Sequence, residues 1–532
     1  MPSFRKSALV ATVALPIAVG GFVLQERATR DGARLFDQVL MLVSDRFVDT
    51  VDASALYEKA ARGLVQQLND PYSELFTPKQ LQRFSTTSTG RYGGIGMQIE
   101  DQQGNITVVR VFPHTPAEGA GIQEGDRIIG VDTQVTRGWT TSQVSDALMG
   151  QPGTKVRVRF ARPGVAQPIE QNFTRATIHI PAVPFTLILD GKVGYIPLQT
   201  FNETATDELE AGLNKLLKDG ARGFIIDIRG NPGGILDQGL AVADLFLDNG
   251  EEIASVRGRQ GAVQRFAARG RDVIPEVPLV VLTDGYSASA SEIVAGALQD
   301  HDRALVVGTT SFGKGLVQTV FNLDGGYALK MTTAKWFTPS GRSIQKERKA
   351  ENVASSTAAG TPPVAEDVPD SLETESVKKS RPAYRSDAGR VVYGGGGITP
   401  DVIIAEDTAT TPEQEFAKAI APKAPLARAA LYDLGLDLKG KVQPNFTVPS
   451  QWREDYFRRL TSAGVQIDRK QYEAAAPLVD RWISGMVARL AFGDSTAFRR
   501  SIPEDPQLTR AIDLLKRGTT QKDLFAVARA SR

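Results

Sequence analysis

Leu279-Val280-Val281-Leu282-Thr283-Asp284-Gly285-Tyr286-Ser287-Ala288-Ser289-Ala290-Ser291-Glu292 decides how this chain is read. An uncharged apolar run gives way to a glycine turn and then to alternating serines and small residues. Such a run, bounded by a turn signal, predicts a strand buried on both faces. The segment after it predicts a helix over Ser289–Gln299. The same alternation extends outward, with strands at Val193–Pro197, Gly223–Ile228 and Ala304–Val307 and helices at Thr204–Lys218 and Leu236–Phe246. This pattern predicts βαβ units and a largely parallel sheet. Val317–Phe321 and Tyr327–Thr333 flank Asp324-Gly325-Gly326 and predict an antiparallel addition to it.

The flanks read differently. Residues 26–88 carry apolar residues at helical spacing (Leu35, Val39, Leu42, Val43; Leu56, Ala60, Leu64, Leu68). Short β-like runs follow at Gly94–Ile99, Ile106–Val111, Arg127–Val131 and Lys155–Phe160, with a helix at Thr141–Leu148. Residues 347–390, rich in Ala, Ser, Thr, Pro and Glu, read as a flexible surface insertion. From Thr411 the chain is helical again, for example over Tyr472–Leu490. At the start, Arg5 and Lys6 precede the uncharged stretch Ser7–Gln25. A basic start before an apolar segment is the layout of an export signal, or of an anchor if it is retained.

The 532 residues suggest several folded units, at about 100–200 residues each. With 62 Lys+Arg against 61 Asp+Glu, the net charge of +1 gives no electrostatic case for a nucleic-acid partner. The absence of cysteine excludes disulfides, thiolate nucleophiles and zinc–thiolate sites. Three dispersed histidines, His114, His179 and His301, argue against a multi-histidine metal site. No metal or organic cofactor is expected.

A hydroxyl at the start of the 289–299 helix lies beside unpaired helix N–H groups, where an oxyanion can be stabilised. Ser289-Ala290-Ser291-Glu292 equally fits a capping box, in which Ser289 only caps its helix. A serine nucleophile also needs a base. His301 lies past the far end of the same helix, about 18 Å along it at 1.5 Å per residue. Lys314, in Ser311-Phe312-Gly313-Lys314-Gly315-Leu316-Val317-Gln318, follows the strand Ala304–Val307, whose end should meet that of the 279–283 strand. A lysine base must be neutral, so it needs a desolvated pocket; the bland alternative is a solvated loop lysine. Gln318, four residues on, would face the same side of an extended chain and could orient the amine. The glycines of Asp227-Ile228-Arg229-Gly230-Asn231-Pro232-Gly233-Gly234 can offer a second oxyanion N–H, or simply make a tight turn.

These stretches, with Thr338-Pro339-Ser340-Gly341-Arg342 and Gly397-Ile398-Thr399-Pro400-Asp401, resemble the carboxyl-terminal processing peptidases, or tail-specific proteases. The likeness runs in order from about Leu35 to Asp401. It implies Ser289 as nucleophile, Lys314 as general base and Gln318 as the residue positioning the lysine. It also implies an oxyanion hole from the N–H groups of Ala290 and of Gly233 or Gly234. The implied fold is α/β, a crotonase-like (ClpP/crotonase) protease core with an inserted PDZ domain and helical N- and C-terminal regions. Asp300 matches an acidic family position and reads as structural support. Residues from Tyr92 to about Ala176 resemble a PDZ domain, with Gly93, Gly94, Ile95 and Gly96 as its carboxylate loop and Gly121–Ile128 as its core turn. A peptide C-terminus would add a strand beside Ile95–Ile99, opposite Thr141–Leu148.

The domain plan is thus a signal or anchor at 1–25, a helical region at 26–88 and a PDZ domain at 89–178. The protease core spans 179–346 and 391–406, interrupted by the 347–390 insertion, with a C-terminal helical region at 407–532. The insertion is long for the family, and the region from 411 has no assignable family counterpart. The expected function is a serine endopeptidase of the bacterial envelope, periplasmic or on the outer side of the inner membrane. It would cut proteins near free, apolar C-termini, with membrane anchoring and a homo-oligomer as further expectations. The competing readings are a non-catalytic ligand-binding protein on the same fold and a PDZ scaffold with a degenerate protease core.

Overall fold

The central strands are buried at every residue, and mostly apolar, because they face two cores at once. In the computed structural model, which describes residues 31–102, 104–259, 261–346, 380–406 and 409–530, six strands form one sheet. Their order is Leu187–Leu189, Val193–Pro197, Gly223–Asp227, Leu279–Thr283, Leu305–Gly308 and Val402–Ile403. The first pair is antiparallel and the rest are parallel. Phe224, Ile226, Leu279, Val281 and Val306 point into a core shared with helices Ala205–Lys218, Leu236–Asp244 and Ala290–Asp300. Ile225, Val280, Leu282, Leu305 and Val307 point into the opposite core. That face is covered by helices Pro506–Arg517 and Gln521–Ala530, through Leu508, Ile512, Leu515, Leu524 and Phe525.

The expected antiparallel addition belongs elsewhere. Leu316–Asn322 does pair with Ala328–Phe337, but in a separate sheet. Residues 334–337 of the second strand pair with Glu252–Gly258, which pairs antiparallel with Val263–Ala267. The 252–267 hairpin escapes a pattern reading because its outer strand is largely exposed and has no apolar alternation.

The described residues divide into two compact units. The smaller holds residues up to Pro78 together with Thr319–Thr332. It contains a helix over 31–46 and another over Ala53–Gln66, started by Asp52, whose carboxylate accepts from the Ser54 N–H at 2.9 Å. Its strand Glu74–Phe76 pairs antiparallel with residues 328–330.

The larger unit holds the six-stranded sheet, a β-domain and the C-terminal helices. The β-domain runs Met97–Gln102, Asn105–Val111, Arg127–Val131, Lys155–Ala161 and Ile169–Thr174 in sheet order. Its helix is Thr141–Leu148, as the sequence predicts, capped by Thr140 and Gln143. The expected run Gly94–Ile99 is broken: Arg91–Gly94 pairs with Ala176–His179, and the chain turns through Ile95 and Gly96 (φ +87°) before Met97.

Helices between Thr411 and Phe492 form their own core around Phe416, Leu434, Tyr456, Tyr472 and Ile483. The expected single helix over Tyr472–Leu490 is two, Arg469–Ala474 and Ala476–Phe492, because Pro477 starts the second. Ala383–Arg385, at the end of the expected insertion, pairs with Val391–Tyr393. The rest of that insertion up to 379, and the expected signal or anchor at 1–25, lie outside the described residues. Among the described residues no helix is long and apolar enough to cross a membrane.

Candidate active site

The strand Leu279–Thr283 ends at Asp284, whose side chain organises the turn that follows. Asp284 Oδ1 accepts from the backbone N–H groups of Tyr286, Ser287 and Gly230 at 2.9–3.0 Å. Three serines then compete for the role of nucleophile, and burial separates them. Ser287 is fully buried and donates to the Ile228 carbonyl at 2.8 Å; Ser291 is fully buried and donates to the Asn231 carbonyl at 2.9 Å. Ser289 alone is partly open to solvent. It also sits at φ 57°, ψ −114°, a conformation costly for a residue with a Cβ and typical of functional turns.

The capping-box arrangement is present here. Its strong half is the Glu292 carboxylate on the Ser289 N–H, at 2.9 Å, while the Ser289 hydroxyl makes no cap hydrogen bond of standard geometry. Glu292 does far more than cap. Oε1 accepts from Ser311 Oγ and the Gly313 N–H, both at 2.6 Å. Oε2 accepts from the Lys314 N–H at 2.9 Å, the same oxygen that holds Ser289. The backbone nitrogens of Ser289 and Lys314 therefore lie no further apart than twice 2.9 Å. Burial pushes the Glu292 carboxyl above the usual carboxylate range, and the bonds from Ser311, Lys314, Gly313 and Ser289 draw it only part of the way back.

The Lys314 loop is fixed on its other sides too. The Phe312 N–H donates to the Ser287 carbonyl at 3.0 Å, and Trp336 Nε1 donates to the Lys314 carbonyl at 3.1 Å. Gly313 adopts φ +86°, and a Cβ there would meet Lys346 Cβ at 2.8 Å. Lys314 and Gln318 are half-buried, the latter on the strand Leu316–Asn322.

The glycine loop closes on the serine turn. The Asn231 carbonyl accepts from the Ala288 N–H at 3.0 Å as well as from Ser291. A Cβ on Gly233 (φ +95°) would lie 2.6 Å from the Ala288 carbonyl and 2.8 Å from Ser289 Cβ, so only glycine permits this approach. The two candidate glycines differ. The Gly233 N–H already donates to Asn231 Oδ1 at 2.9 Å, whereas those of Gly234 and Ala290 donate to no described group.

Elsewhere, Asp300 forms a buried ion pair with Arg342 at 2.7 Å and accepts from the Ser340 N–H, a supporting role. His301 caps the far end of the serine helix, held by Asp387 and the Glu252 carbonyl, both at 2.7 Å. Glu251, His301 and Asp387 form the one grouping among the described residues with spacing for a cation, and both ring nitrogens of that histidine are already engaged. In the β-domain, Met97–Gln102 is a terminal strand of its sheet, paired among the described residues only with Asn105–Val111. Ile95 and Met97 point into the domain core. Gly93 and Gly96 allow close approach to the Gly150 carbonyl and to Thr115. The sequence reading missed the bracing role of Glu292, which the S-x-x-E spacing signals only as a cap, and the turn-building role of Asp284.

The comparisons agree with this architecture. Residues 192–355 match the model of peptidase family S41, residues 107–162 that of a PDZ domain, and residues 24–78 that of the activating protease CtpB N-terminal domain. The class is thus a peptide hydrolase, an S41 core in an α/β chain that also carries a PDZ domain. A carboxy-terminal-processing protease of Bartonella bacilliformis is 39% identical over 58% of this chain and 72% of its own. The carboxy-terminal processing protease CtpA of Bacillus subtilis is 34% identical over 64% of this chain and 73% of its own. A solved photosystem II D1 C-terminal processing protease is 30% identical, covering 59% of this chain and 90% of its own, with a TM-score of 0.35. The chain belongs to the carboxy-terminal-processing serine protease family. That membership disfavours both non-catalytic readings.

Proposed function

We propose that this protease works through a Ser289–Lys314 dyad on a crotonase-like core. Ser289 attacks the scissile carbonyl, Lys314 accepts the hydroxyl proton, and the acyl-enzyme is released by water. Gln318 orients the amine. The N–H groups of Ala290 and Gly234 receive the oxyanion; Gly233 is the less suited of the two glycines because its N–H is already spent on Asn231. The observation that carries this reading is the single Glu292 oxygen shared by the backbone nitrogens of Ser289 and Lys314. The accessibility of Ser289 alone among the three serines supports it.

The substrate is a protein or peptide with a free, apolar C-terminus. Its tail adds a strand to the open edge of Met97–Gln102, with the carboxylate at the loop Gly93, Gly94, Ile95 and Gly96. The basic residues Arg5 and Lys6 before the uncharged stretch Ser7–Gln25 support an enzyme of the bacterial envelope, exported or anchored. The helix over 31–46 exposes Leu35, Phe36, Val39, Met41 and Leu42, which suits a contact between copies of the chain.

The test compares wild type, Ser289→Ala and Lys314→Ala on an unfolded protein with an apolar tail. Each variant should lose cleavage by about 10⁴-fold or more, and a fluorophosphonate should label only proteins retaining Ser289. Equal cleavage by all three would reject the dyad.

A further inference from the structure

The C-terminal region, for which the family likeness offers no counterpart, reaches into the glycine loop through one ion pair. Arg229 lies at the start of that loop, immediately before Gly230. Its guanidinium faces two carboxylates. On one side Nε and Nη2 reach Asp227 at 2.7–3.2 Å. On the other, Nη1 and Nη2 make a two-pronged contact with Asp505 at 3.0 and 2.7 Å, and Nη1 also reaches Gln507 Oε1 at 3.1 Å. Asp505 starts the helix Pro506–Arg517, which is packed on the sheet by Leu508, Ile512 and Leu515, so its carboxylate is presented from a rigid element. Asp227 is itself held by the Tyr195 hydroxyl at 2.8 Å.

We infer that Asp505 is a positioning residue for catalysis, which through Arg229 fixes the loop 230–234 at the distance from Ser289 that the oxyanion requires. The inference rests on the dyad reading above. The loop's middle and far end are tied down by Asn231, on the Leu198 carbonyl and the serine turn, and by the Phe201 N–H on the Gly233 carbonyl at 3.2 Å, whereas beside Arg229 its near end has the Gly230 N–H on Asp284. Gly230, Gly233 and Gly234 all have positive φ and no side chain to hold them. A displacement of the order of 1 Å at an oxyanion donor costs about a hundredfold in rate. Asp505 never approaches the substrate; it acts through Arg229.

The bland alternative is that Asp505 merely caps its helix, accepting from the Leu508 N–H at 2.9 Å. Asn and Ser cap about as well as Asp, so both preserve the cap. Ser is too short to reach Arg229, and Asn keeps the shape without the charge. The experiment measures kcat, KM and inhibition by a peptide aldehyde, whose adduct needs the oxyanion site, together with the thermal midpoint. The proteins are full-length wild type, Asp505→Ser, Asp505→Asn and Asp505→Glu, with Ser289→Ala as control.

The expected result for Asp505→Ser is a kcat lowered about tenfold or more, a KM within about twofold of wild type, and aldehyde inhibition weakened by the same factor as kcat. Asp505→Asn should fall between it and wild type, and Asp505→Glu should recover part of the loss by restoring the charge. Unchanged kcat in a folded Asp505→Ser protein would overturn the inference. So would a lowered thermal midpoint with aldehyde inhibition intact, which is the signature of a structural role. If Asp505→Ser does not fold, Asp505→Asn carries the same two readings. Failure of the dyad itself shows separately, as a Ser289→Ala protein that still cleaves.

Discussion

At the scale of single residues, the candidate site is braced by one buried carboxylate. Glu292 accepts from four donors, three of them backbone N–H groups, and so fixes two turns far apart in sequence. Glu292→Gln keeps the volume but turns an NH₂ toward donors. One buried N–H or hydroxyl is then left without an acceptor, at a cost of about 1–3 kcal/mol. The expected outcome is a lower thermal midpoint, with kcat reduced about tenfold or more and KM little changed, because the Lys314 loop shifts against Ser289. Steady-state kinetics beside a thermal melt checks it. The candidate residues stand out in the sequence: small residues crowd around Ser289 and glycines flank Lys314, and both patterns have a physical reading. The Glu292 bridge was not, because Ser311 and Lys314 lie about twenty residues away and only the fold brings them back.

At the scale of elements, the helix Ala290–Asp300 joins two differently built ends. Every one of its residues is buried. Its C-terminal cap, His301, is held by Asp387 and the Glu252 carbonyl with Glu251 near by. Burial works against the imidazolium, but the Glu252 carbonyl and the Asp387 carboxylate outweigh it and raise the His301 pKa above its ordinary 6.5. The folded state thus binds this proton more tightly than the unfolded chain does. The stabilisation is fully present below about pH 6.5 and fades as pH rises through the higher folded value. Asp387 is exposed, so solvent screening keeps the effect modest. His301→Gln should therefore lower the thermal midpoint at pH 6 more than at pH 9, and a melt at both values would detect it. Four strands and three helices of this core were predictable to within a residue or two, because long buried apolar runs and helical periodicity leave strong patterns; the short edge strands Leu187–Leu189 and Val402–Ile403 were not, being only three and two residues long. The 252–267 hairpin was not, since its exposed outer strand is held by backbone pairing rather than by an apolar face.

At the scale of the whole chain, the sheet needs helices from its distant C-terminus. One of its faces, with Val193, Ile225, Val280, Leu282, Leu305 and Val307, is covered by residues 506–528. Six large apolar side chains from those helices (Leu508, Ile512, Leu514, Leu515, Leu524, Phe525) are buried there. At about 1.5–3 kcal/mol each, they are comparable with a domain's entire net stability of about 5–15 kcal/mol. A chain ending at Glu504 should therefore bind a hydrophobic dye strongly and lose its cooperative melt. The sequence shows that the C-terminal region is helical, but not where it packs. The same region also grips the PDZ sheet, through Tyr432 on the Val108 carbonyl at 3.1 Å and an Arg110–Asp494 ion pair. Amphipathic faces alone do not name their partners.

One pairing described above has a kinetic consequence. Glu74–Phe76 can find its neighbour only when residues 328–330 exist, on the order of 250 positions later in synthesis. Loop closure over such a span is slow, and contacts this remote form late. In a pulse-labelled refolding experiment the amides of residues 74–76 should gain protection after those of the 279–283 strand. Until that clasp shuts, the amino-terminal unit is unfinished, however far the rest of the polypeptide has matured.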